Sequence, residues 1–410
     1  MKNFSSYITE QKNTHMTHIE DKVLYGGVKG TRDAIMALRS LRDMLGGKHE
    51  GNVSVKWDGA PAVFCGTDPE DGKFFVAKKA LFNKVPMYYK TNAEIDADTS
   101  GDLNAKLKLA LKYLPDLGIK GVIQGDFLFG PGDLKTQKIK GQSYVTFHPN
   151  TIVYAIPAGT EMARDIRSKK IGIVWHTSYS GRTIKDLKVS GYGVNVKALK
   201  PSRNVWSQDA MLRDLTNYTL DKKSTNEVNE HLRNAGFLFN KIAATTLKTL
   251  ENNRDLASLI ETHANTFVRA GSLPPDPKRR VQALINWIRD RYQKEMQKRK
   301  TEVGKAAQQK KLDEILKFFS PQNRVSLENM FSLQKEIILA KLILINRLSK
   351  LSNVRTFLKT NKGYRTTNEE GYVAIDKLGG DAVKIVDRME FSYANFSPDV
   401  LKGWDKPGRK

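Results

Sequence analysis

The stretch best suited to covalent chemistry is Lys56-Trp57-Asp58-Gly59. A lysine amine attacks phosphorus or carbon once its pKa is depressed by partial burial or by a cationic neighbour. Asp58 can orient that amine, and Gly59 lets a ligand come close to the backbone. Alternating Val53, Val55 and Trp57 predict a short strand, and Ala62, Val63 and Phe64 begin another. Gly59 and Pro61 mark the turn between them, which puts Lys56 at the edge of a sheet. So short a motif also recurs by chance, and the same residues suit a solvated lysine beside a hairpin turn.

Further along, Glu369 and Glu370 stand at the mouth of a predicted strand over 371–375, and Lys384 lies in the next, over 382–386. Gly379-Gly380 joins the two as a hairpin. Attack on a nucleoside triphosphate needs these ingredients. Lys56 would take the α-phosphorus, and Glu370, with Glu369 competing for the role, would help to hold a divalent cation against the phosphates. Lys384 would stabilise charge building on the α-phosphate oxygens. His148 and His176 read as structural, since the lysine chemistry needs no histidine. The sequence has no Gly-x-x-x-x-Gly-Lys-Ser/Thr loop and no Cys/His zinc spacing.

The elements that must position these groups are legible from periodicity. Residues 29–45 predict an amphipathic helix with Ala34, Ile35, Leu38, Leu41 and Leu45 on one face, ended by Gly46-Gly47. Strands are expected over 74–77, 121–129 (interrupted at Gly125), 146–157, 170–176 and 191–200, with a helix over 102–114. From about 205 to 360 the β signal gives way to helical patterns. Asp276-Pro277 caps one helix, whose stripe of Val281, Leu284, Ile285, Ile288 and Tyr292 should face inward. Its other face carries Arg289, Arg291, Lys294, Lys298, Arg299 and Lys300. Residues 328–349 are apolar nearly all round, as a central buried helix is. Residues 1–20 read as a polar tail, with His15 and His18 in it.

The totals bound the class. A chain of 410 residues, 27% charged and 40% hydrophobic, supports two or three globular domains. A net charge of +24 suggests a polyanionic partner, most simply nucleic acid. Cys65 is the single cysteine, which rules out an internal disulfide and fits a reducing, cytoplasmic setting. No secretory signal core stands at residues 1–20, and no apolar run reaches membrane-spanning length; Lys341 breaks the longest.

In order and content these motifs resemble the covalent nucleotidyltransferase superfamily: ATP-dependent DNA ligases, RNA ligases and mRNA capping enzymes. Lys56-Trp57-Asp58-Gly59 matches its motif I. Gln124-Gly125-Asp126-Phe127 resembles motif III, with Asp126 where Glu is usual, and implies a ribose contact. Ile152-Val153-Tyr154 resembles motif IIIa, whose aromatic stacks on the purine, with Tyr154 or Phe147 in that role. Glu370-Gly371-Tyr372-Val373 matches motif IV; motif V, normally Lys-x-Lys, has only Lys384. The arginine expected soon after motif I is replaced by Lys78 or Lys79. The whole chain also looks like an uncharacterised family carried by large tailed phages, with the host cytoplasm as its setting.

The resemblance implies an α+β, ATP-grasp-like ligase adenylation domain of antiparallel sheets with a large all-α insertion. Its first part would span 1–204 and its second 361–410, around a basic helical insertion at 205–360. The implied function is an ATP-dependent polynucleotide ligase using ATP and Mg²⁺ through a lysyl-AMP. RNA is favoured over DNA, because the 26 residues after Lys384 are too few for an OB-fold domain. Cofactor contacts would fall to Asp58, Gly59, Lys79, Asp126 and Tyr154, and polynucleotide contacts to Arg289, Lys294, Lys298 and Arg299. The alternatives are a catalytically silent nucleic-acid-binding or virion protein that keeps the fold, and a capping-type guanylyltransferase.

Overall fold

The computed structural model describes residues 18–47, 52–212, 220–350, 354–375 and 382–405. The chain enters through a 3-10 turn, Ile19–Asp21, and two helices, α1 (Lys22–Tyr25) and α2 (Gly27–Leu45). α2 buries Ala34, Ile35, Leu38, Leu41 and Leu45, the stripe its spacing marks. Ile19, Glu20 and Asp21 are also buried, so the chain is anchored earlier than a polar tail to residue 20 would allow. His15 lies outside the described residues.

Three strands follow, β1 (Asn52–Lys56), β2 (Ala62–Thr67) and β3 (Phe74–Ala77), then helices α3 (Asn92–Asp98) and α4 (Gly101–Tyr113). Next come β4 (Val122–Phe129), β5 (Lys135–Ile139), β6 (Gln142–Phe147) and β7 (Ile152–Pro157). The strand expected over 146–157 is thus two strands, broken where Pro149 and Asn150 make a turn. α5 (Glu161–Ser168) leads to β8 (Ile171–Ser180), β9 (Lys188–Tyr192), β10 (Val205–Asp209) and β11 (Met211–Leu212). β9 covers only the start of the strand expected over 191–200, which continues into a short 3-10 turn, Val196–Ala198.

The helical block comprises α6 (Lys222–Phe239), α7 (Ala244–Asn252), α8 (Arg254–Arg269), α9 (Pro277–Gln297), α10 (Glu302–Lys317) and α11 (Pro321–Leu348). Asp276 caps α9 by accepting from the Arg279 amide, and Pro277 opens its first turn. Residues at both ends of the expected 205–360 block are strands, since β10, β11 and β12 (Arg355–Thr360) all join sheets. The chain ends in β13 (Gly363–Thr366), β14 (Gly371–Ile375), β15 (Ala382–Ile385) and α12 (Arg388–Phe396).

The strands form three sheets of an α+β fold, and every pairing is antiparallel except β8 with β10. The first sheet runs β11-β1-β14-β15, the second β10-β8-β4-β2-β3 with β9 beside β8, and the third β13-β12-β7-β6-β5. In the third sheet the outermost strands approach each other. Tyr364 Oη donates to Gln137 Oε1, and Lys140 Nζ donates to Thr366 Oγ1 at 2.7 Å. The sheet therefore curls around its own small core of Ile139, Tyr144, Val153, Ala155 and Phe357.

The helices do not form a self-contained insert. α2 packs against α6, α7 and α11, and one continuous core runs from Leu38 and Leu45 through Val53, Val55 and Trp57 to Leu333, Ile337 and Leu344. The N-terminal segment and β1 thus need the block in place to bury their apolar faces.

A half-buried imidazole, His148, and a buried one, His263, tie this fold to pH. His148, in the β6–β7 turn, is held at a pKa of about 4 by burial, against a hydrogen bond to the Thr151 carbonyl at 3.2 Å. His263 on α8 is likewise held at about 4 by burial and by Arg280. A depressed histidine leaves the unfolded chain binding more protons, so this stability is present above pH 6.5 and is lost as pH falls towards 4. Asp21 runs the other way: burial raises it to about 7, against Arg388. Comparison of variants separates the two. His148→Gln is expected to flatten the acid limb between pH 6.5 and 4 by about 2–3 kcal/mol, read by urea unfolding at each pH. An acid limb that matches wild type would place the transition elsewhere.

Candidate active site

β1 has partners on both sides, so Lys56 ends an interior strand, not an edge strand. The register explains what it meets. β1 pairs with β14 so that Lys56 stands opposite Gly371, which brings Glu370 to the lysine amine as an ion pair. Lys56 is about one-third exposed and Glu370 is 12% exposed, so the pair lies at the mouth of the sheet, not in its core. Gly371 has a packing reason: a Cβ there would lie 2.9 Å from the Ile385 carbonyl oxygen. Glu369 turns inward, is buried, and accepts from Tyr372 Oη at 2.8 Å. Of the two adjacent carboxylates, Glu370 is the one that faces the lysine.

Asp58 does not orient Lys56. Its carboxylate is buried and accepts from Asn150 Nδ2 at 2.6 Å and from the amides of Thr151 and Ile152 at 2.7 and 2.9 Å. The Asp58 amide in turn donates to Tyr154 Oη at 2.6 Å. Asp58 therefore pins the loop after Lys56 onto the β6–β7 turn. Asp58→Ala removes the acceptor for three donors, two of them buried amides, and is expected to cost about 3 kcal/mol of stability, measured as the shift of a urea midpoint. A shift below a tenth of the wild-type midpoint would show that solvent replaces those bonds.

Tyr154 is not a surface on which a purine can stack. It is 1% exposed, with Trp57 against it at 4.7 Å between ring centroids and Phe147 stacked at 5.3 Å. Phe147, the other aromatic considered, is equally buried. The resemblance named these two aromatics by motif order, which could not show that other rings already cover them.

The loop from Lys56 crosses to the second sheet and zips onto β4. The Ala60 amide donates to the Phe127 carbonyl at 2.9 Å, and the Phe127 amide to the Pro61 carbonyl at 3.0 Å. Gly59 is required here by close approach, since a Cβ would lie 2.5 Å from the Cβ of Asp126. Asp126 thus abuts the motif, with His176 Nε2 at 3.7 Å from its carboxylate. Lys106, which sequence reasoning missed, donates to the Ala60 carbonyl at 3.0 Å and supports the same loop from α4. His176, set aside because the lysine chemistry needs no histidine, lies at a register shift between β4 and β8.

Lys79 is exposed just beyond β3, and Lys78 is engaged by Asp98 at 2.7 Å. The β2–β3 pairing ends at Phe64 and Ala77, and Lys79 opens the short 3-10 turn Lys79–Phe82 that follows. Lys384 lies on β15 opposite Val373, but its side chain is outside the described residues. Arg289, Lys294, Lys298 and Arg299 are all exposed on or just after α9. The stripe Val281, Leu284, Ile285 and Ile288 is buried, with Tyr292 half-buried.

Beside Lys56 a cavity of about 20 Å³ is lined by Asp58, Thr151, Glu369, Glu370, Asp387 and Glu390, among others. No group of three or more His, Cys, Asp or Glu side chains among the described residues is arranged to hold a metal ion. A magnesium bound with a nucleotide needs only one or two carboxylates, the rest coming from phosphates and water, and Glu370 could supply one.

The model of a family of unknown function (DUF6267) matches residues 13–399. The chain belongs to that family. No curated protein and no solved structure matches it. The DUF6267 match runs unbroken through Lys56, Asp126, the helical block and Glu370, so the helices are part of the family unit along with the sheets. Among the described residues of this DUF6267 chain, no helix is long and apolar enough to cross a membrane.

Proposed function

We propose that the chain is a covalent nucleotidyltransferase of the polynucleotide-ligase type, with Lys56 as its nucleophile, and that its sheets correspond to an ATP-grasp-like adenylation domain. The observation that carries this reading is the pairing of Lys56 with Glu370 across β1 and β14, two motifs that lie far apart in sequence. Lys56 Nζ would attack the α-phosphorus of ATP, forming a nitrogen–phosphorus bond as pyrophosphate leaves. Glu370, once it holds a magnesium, would release its ion pair with Lys56, and the proton that the ammonium must first lose would pass to solvent. A bound magnesium would neutralise phosphate charge, with Glu370 as its protein ligand. Asp126, beside Gly59, would accept from a ribose hydroxyl. AMP would then pass to a polynucleotide 5′-phosphate, and a 3′-hydroxyl would displace it.

Incubation with α-labelled ATP or GTP and Mg²⁺, followed by denaturing electrophoresis, tests the reading. Retained label from ATP supports it, label from GTP alone would move the protein to the capping class, and no label would remove the enzyme reading. One observation favours a silent nucleic-acid-binding protein instead: the cavity beside Lys56 is far smaller than a nucleotide.

The polynucleotide would lie on the basic face of α9. Reversing Arg289, Lys294, Lys298 and Arg299 together is expected to lower affinity for a nicked duplex and to reduce its salt slope by about 3–4. Fluorescence anisotropy over a salt series reads both. An unchanged slope would mean that this face is only solvated.

A further inference from the structure

We infer a second polynucleotide surface, distinct from α9: a platform for a single strand built from the loops 78–88 and 180–188, which fold over one face of the second sheet. The two loops meet in a small core of their own, where Leu81 and Phe82 join Ile184 and Leu187 around Phe64 and Phe75. Phe82 lies against Phe64 at 5.2 Å and against Tyr179 at 5.2 Å, tilted 38°. Phe82, Tyr88 and Tyr179 are only half-buried, and Val85 and Met87 beside them are 77% and 36% exposed. Aromatic and apolar groups are thus held at the surface by a core that needs none of them fully enclosed.

Charge identifies the occupant. Lys79, Lys84, Arg182, Lys185 and Lys188 are exposed on these loops, and none has a carboxylate within ion-pair distance among the described residues. Asp186 is the exposed carboxylate of the two loops, and it accepts from Thr183 Oγ1 at 2.9 Å. Half-exposed rings among unpaired cations suit a flexible polyanion with stacking faces, which is a single-stranded nucleic acid. A stiff duplex keeps its base faces covered, and an acidic peptide offers few rings to stack.

The platform adjoins the site. The turn Lys79–Phe82 packs on β2, and Ala62 at the start of β2 pairs with Asp126, so a strand lying on the loops can run along β2 towards the Lys56 mouth. Delivery of a strand end to Lys56 rests on the proposed function; binding itself does not.

Anisotropy with labelled 15-mers of oligo(dT) and oligo(U), in the absence of nucleotide, tests the platform independently of any chemistry at Lys56. Reversing Lys84, Arg182, Lys185 and Lys188 together is expected to weaken binding at least ten-fold and to lower the salt slope by about 3. Phe82→Leu keeps the apolar packing but loses the stacking face, and is expected to weaken binding by on the order of five-fold. The two oligomers show whether the sugar matters. No wild-type binding at low salt, an unchanged slope in the quadruple variant, or a duplex of equal length bound as tightly as the single strand would each overturn the inference.

Discussion

Lys56→Ala is expected to abolish covalent labelling by α-labelled ATP while the protein stays folded. The amine is the attacking atom in the proposed reaction, and it pairs with the motif IV carboxylate. Loss should be complete to the detection limit, since a displaced nucleophile is not replaced by water within a covalent adduct. The stability cost should be small, about 1 kcal/mol, because the Lys56 amine, one-third exposed at a strand end, is screened by solvent. Lys56→Arg makes the test sharper. A guanidinium keeps the ion pair with Glu370 but stays protonated, so it restores the contact without the chemistry. Labelling in either variant would remove Lys56 from the mechanism. Glu370→Gln should reduce labelling well beyond Glu369→Gln, since Glu369 faces Tyr372 instead of the lysine.

The parts of this site legible in the sequence are those fixed by local rules. Alternation places Val53 and Val55 in a strand, and the glycine at 59 marks a close approach that the contact with Asp126 explains. Register across 314 residues is different in kind: nothing near Lys56 shows that Gly371 will be its partner, and only the motif order suggested it. Asp58 shows the limit most clearly. Proximity in sequence made it the lysine's orienting group, yet the unpaired amides of Thr151 and Ile152 claim its carboxylate, because buried amides demand an acceptor. Tyr154 fails for a related reason, since the rings that cover it come from Trp57, just past β1, and Phe147 on β6. In the fold, the short strands of the third sheet at 135–139 and 363–366 were missed. Their polar, exposed residues carry little hydrophobic signal, and the sheet's closure through Gln137, Tyr364, Lys140 and Thr366 depends on curl.

α11 is a buried helix whose longest apolar run is interrupted by a lysine. Lys341 is 1% exposed and donates to both carboxylate oxygens of Glu20, at 2.8 and 2.9 Å. Burial alone would raise the Glu20 carboxyl, but Lys341, His18 and Arg388 outweigh it and hold it below its ordinary range. Gln334 Nε2 donates to the Glu20 carbonyl at 3.0 Å, and Arg388 on α12 pairs with Asp21 at 3.0 Å. The entry of the chain is thereby fastened to α11 and α12 through a charged cluster inside an apolar core. Lys341→Met leaves Glu20 buried without its main partner and is expected to cost about 3–5 kcal/mol. For a chain of this length that corresponds to a fall in Tm of about 5 °C. Glu20→Leu combined with Lys341→Met replaces the pair by apolar groups of similar volume, and is expected to recover most of that loss. Arg388 keeps Asp21 in the double variant, so no cation is stranded. Thermal unfolding of the four proteins in the cycle decides the matter. A coupling near zero would mean that water, and not Lys341, compensates the Glu20 charge.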